Sequence, residues 1–137
     1  MQSRTSLVHG TNVDEAYGLI HVGCFGSVLT ICVSRKGQQV SMTAFRQTLF
    51  GEPERAAGTL TEADWIRLKQ LLEQAGFWAL PEFHLQQGLD GWTWTIEGRD
   101  SERYHSSECW CPQKGAFHDL GSLLIEYSGL ETPVDSP

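Results

Sequence analysis

Long apolar runs are missing from this chain of 137 residues. A helix that spans a bilayer needs roughly 18 or more consecutive apolar residues, and no stretch of the sequence approaches that length. The N-terminal stretch MQSRTSLVHGTNVDEA also lacks the apolar core of a signal peptide. These absences predict a soluble protein without membrane contact and favour the cytoplasm. A periplasmic location stays open if Met1 only precedes a trimmed mature sequence.

The signatures of common enzyme classes are absent as well. The sequence contains no GxSxG, no HExxH, no Walker loop and no glycine-rich dinucleotide turn. Its five histidines are scattered, and no carboxylate pair has a spacing that requires a shared site. The sequence therefore predicts a protein that is not an enzyme and needs no cofactor.

Positive charge is scarce: 10 Lys and Arg stand against 17 Asp and Glu, for a net charge of -7. Broad nucleic-acid binding is disfavoured, because it depends on neutralising phosphates. Charge is balanced from Met1 to Pro81, with seven acidic and seven basic residues, whereas Glu82 to Pro137 has ten acidic and three basic residues. Such a field speeds encounter with a basic partner protein, which is the partner that we expect.

Cysteine is also infrequent. The four cysteines, Cys24, Cys32, Cys109 and Cys111, are too few for a disulfide scaffold in a chain that can bury a core. Small, partly buried thiols are the favoured interpretation. A disulfide between Cys24 and Cys32, or between one cysteine of each pair, stays open.

The stretch HSSECWCP, residues 105–112, suggests a metal or redox site at first sight. On a strand His105 and Cys109 share a face but lie about 13 Å apart, whereas zinc ligands lie about 2.0 to 2.3 Å from the ion. Cys109 and Cys111 supply two ligands, and His118 could supply a third. We predict no metal site, and keep a small enzyme or metal-binding domain that uses Cys109, Cys111 and His118 as the alternative.

The first half of the chain predicts three strands and a helix. Residues 17–47 contain three short β-branched and apolar runs separated by turns, and residues Leu49–Gly58 are predicted to be a loop. Thr61 caps a helix with Asp64 three residues later, and Gly76 ends it. An apolar hinge, Phe77–Pro81, follows.

The second half predicts a hairpin and a second helix. Trp92, Trp94 and Ile96 alternate with polar residues, which is the period of a half-buried strand. GRDSE, residues 98–102, is a turn, and the returning strand runs from Arg103 to Cys111. A helix over Ala116–Ser128 follows. In the register that we prefer, Trp92, Trp94 and Ile96 share the core face with Tyr104 and Trp110. A slip of the pairing by one residue would exchange the core face and the opposite face of the hairpin.

These elements predict an α+β fold with an antiparallel sheet of about five strands and two helices packed on one face. The order is three strands, a helix, two strands and a helix. Residues 1–130 are expected to form one domain, and residues 131–137 a disordered tail.

Four segments resemble, in order, a family of small uncharacterised bacterial proteins: LTEADWIRLKQLLEQAGFWALP, LDGWTWTIEG, RYHSSECWCP and KGAFHDLGSLLIEYSGL. The resemblance covers residues 59–130, and no catalytic residue comes with it. In that family the tryptophan before the proline usually has no flanking cysteines, so Cys109 and Cys111 are a departure.

Acidity and small size together predict a binding protein, most specifically a bacterial immunity or inhibitor protein that occludes the active site or groove of a cognate toxin or effector. A generic adaptor domain is a further alternative. The residues that we expect at the contact surface are Asp90, Asp100, Glu102 and Glu108.

Overall fold

The computed structural model describes residues 7–8, 12–23, 25–84, 91–110, 112 and 114–132. Its strands are β1 (Glu15–Val22), β2 (Val28–Lys36), β3 (Gln39–Gln47), β4 (Glu54–Leu60), β5 (Thr93–Arg99) and β6 (Tyr104–Trp110). The helices are α1 (Glu62–Ala75) and α2 (Ala116–Ser128), and a 3-10 turn, Phe77–Ala79, follows α1. Neither helix of the described parts is long and apolar enough to cross a bilayer.

The strands form one antiparallel sheet in the order β4-β3-β2-β1-β5-β6. The α+β class and the antiparallel sheet are therefore confirmed. The sheet has six strands rather than about five, because the segment predicted to be a loop, Leu49–Gly58, contributes most of β4. Its pairing with β3 runs from Val40 opposite Leu60 to Arg46 opposite Glu54. β4 escaped prediction because it is an edge strand that is mostly exposed on both faces, so no apolar alternation marks it.

Helix α1 begins and ends where its local chemistry predicts. The hydroxyl of Thr61 accepts a hydrogen bond from the Asp64 amide at 3.1 Å, and the Asp64 carboxylate accepts one from the Thr61 amide at 2.9 Å. At the other end Gly76 has a φ of 61°, a left-handed conformation that glycine adopts without a steric cost. The chain therefore reverses at Gly76 and returns along the side of α1.

Both helices cover the same face of the sheet. Trp65 of α1 packs against Tyr17 of β1 with ring centroids 5.9 Å apart, and Gly121 of α2 lies directly on Trp94 of β5. Tyr17 and Trp94 point to one face, since β1 and β5 pair His21 with Trp94 and side chains alternate along a strand. The main apolar core lies between this face and the two helices.

The register of the second hairpin differs from the preferred one. Trp94 lies opposite Cys109, and Ile96 lies opposite Ser107, so Cys109 and Ser107 share the helix face with the aromatic strand positions. Tyr104 and Trp110, which were expected on that face, lie on the other one. The preferred register was chosen because it buries more apolar area on one face of the hairpin, without regard to what covers each face. In the structure the hydroxyl of Tyr104 donates to the Glu97 carboxylate at 2.5 Å on the second face.

That second face is partly covered by the N-terminal segment. Glu97 is 3% exposed, and its carboxylate accepts the amide of Leu7 at 2.8 Å. The carbonyl of Val8 accepts a hydrogen bond from Arg99 at 2.8 Å. These bonds satisfy a buried carboxylate, which would be costly without partners, and attach the segment to β5. Of the predicted tail, residues 133–137 lie outside the described residues.

Candidate functional site

A cavity of about 520 Å³ lies between the side of α1 and the 3-10 turn. We call it the α1 cleft. Its walls include Trp65, Ile66, Lys69, Glu73, Phe77 and Trp78. It exists because the reversal at Gly76 places the aromatic pair of the 3-10 turn beside the last turns of α1.

The floor of the α1 cleft is aromatic and tightly packed. Phe77 is 1% exposed and Trp65 is 5% exposed. The Phe77 ring meets the rings of Tyr17 at 6.3 Å and Trp78 at 5.1 Å, both edge to face, the arrangement that aromatic quadrupoles favour. Ile66, in contrast, is 48% exposed. The cleft thus combines a rigid floor with an apolar side chain that is open to solvent.

Among the described residues, Lys69 is the cation that lines the cleft, and its charge is already paired. The Lys69 ammonium bonds the carboxylate of Glu15 and lies 3.1 Å from the hydroxyl of Tyr17. Tyr17 in turn donates its proton to Glu15. Burial, followed by the hydrogen bond to Glu15, raises the pKa of Tyr17 well above its usual range, so the phenol stays protonated. This network compensates the charge of Lys69 inside the protein.

The rim of the α1 cleft continues into the β5–β6 turn. The guanidinium carbon of Arg103 lies 3.9 Å from the ring centroid of Trp78, and the same guanidinium pairs with Asp100 at 2.7 Å. Glu73 and Glu102 are exposed, and neither makes an ion pair within the described part of the chain. The uncompensated charge at this rim is therefore negative.

The four acidic residues predicted at the contact surface do not lie together. Asp100 and Glu102 lie in the β5–β6 turn beside the cleft, although Asp100 is paired with Arg103. Glu108 lies towards the other end of β6 and on the face opposite to the helices, where Thr95 donates to it at 3.3 Å. Asp90 lies outside the described residues. Two of the four residues thus lie in the turn whose Arg103 covers Trp78 of the α1 cleft.

Asp100 should titrate far below an ordinary aspartate. The side-chain hydrogen bond from Arg103, with further bonds from the backbone amides of Glu102 and Arg103, lowers its pKa from 3.8 to about 2. Because the folded pKa is depressed, the stability from this carboxylate is complete above the unfolded value and disappears as the pH falls through about 2. We expect the difference in free energy of unfolding between the wild type and Asp100→Asn to shrink over that interval.

The measurement is the titration of the Asp100 carboxyl carbon by NMR, combined with unfolding curves of both proteins at each pH. Asparagine keeps the oxygen that accepts the two backbone amides, so the comparison removes the charge together with the hydrogen bonds from the Arg103 side chain. A midpoint near 3.8 would show that the Arg103 pair does not form in solution.

The alternative site is only partly within the described residues. Cys109 of β6 lies opposite Trp94, and the imidazole of His118 stacks on Trp94 at 5.8 Å with an interplanar angle of 13°. Cys111 lies outside the described residues. In the described ranges no three His, Cys, Asp or Glu side chains are grouped so that they could hold a metal ion. The alternative stays a prediction.

The structure describes the thiols of two of the four cysteines. Cys32 and Cys109 form no disulfide, and Cys24 and Cys111 lie outside the described residues. Burial, and then the charge of Glu97, raise the pKa of Cys32 to about 11, so its thiol is protonated and poorly nucleophilic at neutral pH.

The α1 cleft was not predicted from the sequence. Trp65 was assigned to the packed stripe of a helix and Phe77 to an apolar hinge, and both side chains are indeed buried, but these assignments do not predict a cavity between the two elements. One signal was available: Ile66 is an apolar residue outside the stripe formed by Trp65, Leu68 and Leu72.

Neither a scan against protein-family models nor a search of the curated proteins finds a match to this chain.

Proposed function

We propose that this protein is an acidic binding protein that docks a basic partner protein at the α1 cleft, and that it acts as a bacterial immunity or inhibitor protein against a cognate toxin or effector. The observation that carries the proposal is the combination found at the cleft: an aromatic floor, an exposed Ile66 and a rim whose uncompensated charges, Glu73 and Glu102, are negative.

This combination matches the anatomy of protein interfaces. Binding energy concentrates on a few apolar or aromatic anchors in a pocket, and the surrounding rim is polar. The packed rings of Phe77 and Trp78 give the cleft a fixed shape, so an anchor can enter without the cost of ordering it. Ile66 and Trp78 supply the contact area.

The charges supply selectivity for a basic partner. Since Lys69 is bound to Glu15 and Tyr17, a lysine or arginine beside the partner's apolar anchor meets the carboxylate of Glu73 rather than a free ammonium. The net charge of -7 attracts such a partner from a distance. An acidic surface inhibits a toxin when its carboxylates take the place of phosphate or substrate anions in a cationic groove.

The proposal predicts a specific kinetic response to charge reversal. The partner is first identified by affinity capture from the source organism and mass spectrometry, and is then purified. The double variant Glu73→Lys/Glu102→Lys should associate with it about tenfold more slowly at low ionic strength, with the difference shrinking as salt screens the charges. Trp78→Ala should instead raise the dissociation rate about tenfold or more, because it removes an anchor.

The matched control is Glu52→Lys/Glu131→Lys. It makes the same change in net charge at two exposed residues near the opposite end of the sheet, where β3 leads into β4 and where the Glu131 carbonyl accepts a hydrogen bond from Arg46. Association of the control should stay within about twofold of the wild type. Equal slowing by both double variants would show that only total charge matters and would remove the α1 cleft from the contact surface. A partner that the protein binds without inhibiting would refute the inhibitor role.

A further inference from the structure

The two edges of the sheet differ in how they are protected. At the β6 edge the segment Glu82–His84 lies alongside as an extra strand: the Glu108 amide donates to the Glu82 carbonyl at 2.8 Å, and the His84 amide donates to the Glu108 carbonyl at 3.0 Å. At the β4 edge no described segment pairs with the outer side of the strand. Half of the backbone groups of β4 therefore point outward with no partner strand from the described chain.

The sequence of β4 guards this edge only at its start. Five of its seven residues are exposed, and its two charged residues, Glu54 and Arg55, interact with Arg46 and Phe45 of β3. The rest of the strand contains no charge and no proline, the features with which monomeric proteins usually block an edge. Its centre consists of the small residues Ala56, Ala57 and Gly58, so another backbone can approach without obstruction. An exposed edge of this kind is a template for pairing with another strand.

We propose that β4 pairs antiparallel with β4 of a second copy of this chain, centred on Ala57, and joins two six-stranded sheets into one continuous sheet. The residues opposite one another would be Glu54 and Leu60, Arg55 and Thr59, Ala56 and Gly58, and Ala57 with its own copy. Each pair joins residues on the same face, so the helices of both copies lie on the same side of the joined sheet.

This register pairs all seven residues of β4 with one another. Within the paired strands the two copies of Glu54 lie at opposite ends, and so do the two copies of Arg55, so no like charges of β4 face each other. Moving the centre to Gly58 would leave Glu54 and Arg55 opposite residues beyond the end of the second β4. Moving it to Ala56 would bring Pro53, which has no amide proton to donate, into the pairing.

The exposed residues of the β3–β4 turn fit the same arrangement. Phe50 is 99% exposed and Leu49 is 54% exposed. This turn leads directly into Glu54, which lies opposite Leu60 of the second copy in the register centred on Ala57. Dimerisation therefore brings these two side chains towards that end of the second strand, where contact would add apolar burial to the backbone pairing.

The mass in solution tests this proposal. Sedimentation equilibrium from low micromolar to submillimolar concentration should show a dimer for the wild type. Ala57→Lys should weaken dimerisation about tenfold or more, because it places two ammonium groups face to face at the centre. Ala57→Glu should do the same, whereas an equimolar mixture of the two variants should form a heterodimer, since each lysine then faces a glutamate.

The matched control is Thr43→Lys, which adds the same charge on the same face at the β3 residue paired with Ala57. It should leave the dimer intact, and circular dichroism should show that all variants keep the wild-type fold. A wild type that stays monomeric at every concentration would overturn the proposal. So would a dimer that Ala57→Lys leaves unchanged, or a mixture of the two Ala57 variants that does not associate.

Discussion

Gly121→Ala is expected to lower the free energy of unfolding by about 2 to 4 kcal/mol. A methyl group at Gly121 would lie 2.4 Å from Cζ3 of Trp94, far inside contact distance. Trp94 is 4% exposed and cannot move away cheaply, because its indole N–H donates to Nδ1 of His21 at 2.9 Å inside the core. The strain outweighs the gain of up to about 1 kcal/mol that alanine brings to a helix. Chemical denaturation measures the difference.

Gly58→Ala is the control for this substitution. A methyl group at Gly58 would meet no atom within 4 Å, so the same chemical change should be neutral or stabilise the protein by up to about 1 kcal/mol. If Gly121→Ala matched Gly58→Ala, α2 would not rest on Trp94 as described.

Phe77→Ala should cost about 3 to 5 kcal/mol of stability. Phe77 is 1% exposed and fills the space between Tyr17, Trp78 and His105, with ring centroids 6.3, 5.1 and 5.3 Å away. Its removal leaves a cavity under the floor of the α1 cleft, since the sheet and α1 hold the surrounding rings in place. Thermal and denaturant unfolding both report the loss.

The comparison variant is Phe50→Ala, which deletes the same side chain at a position that is 99% exposed. Its effect on monomer stability should stay within about 0.5 kcal/mol, measured at a protein concentration below that of dimerisation. Similar losses for both variants would mean that Phe77 is not a core residue and that the cleft has no rigid floor.

The parts of the fold that local chemistry controls could be predicted from the sequence. The capping box at Thr61, the apolar stripe of α1 and the left-handed Gly76 are specified by neighbouring residues, so the bounds of the helix follow from a short stretch of chain. The antiparallel meander of β1, β2 and β3 was predictable for a similar reason, because short turns join three runs of β-branched and apolar residues, and burial alternates along β2 and β3.

The parts that tertiary contacts control could not be predicted in this way. β4 is held by pairing with β3 and carries no burial pattern of its own. The register of the β5–β6 hairpin depends on α2, because Trp94 must lie under Gly121, and on the N-terminal segment, whose Leu7 amide bonds the Glu97 carboxylate on the second face. Both partners lie outside the hairpin sequence, and a slip by one residue inverts both faces.

The α1 cleft could not be predicted, for the same reason: it arises where the 3-10 turn packs beside α1, and a linear pattern does not report a concave surface. The turn with Asp100 and Glu102 was expected at the contact surface, and its Arg103 stacks on Trp78 of the cleft; that these residues contact a partner stays a prediction. Glu108 was expected at the same surface because it lies on the same hairpin, although β6 carries it to the face opposite to the helices.

The most direct test of the α1 cleft as a site for an apolar anchor beside a positive charge uses two small probes that share a ring and differ in charge. Phenethylamine and phenylacetate are titrated into the labelled protein, and the backbone amide signals are followed by NMR. Phenethylamine should shift the signals of Ile66, Glu73 and Trp78 and bind more tightly than phenylacetate, and Glu73→Gln should remove this preference. Tighter binding of phenylacetate, or shifts that map to another part of the protein, would show that the α1 cleft is not such a site.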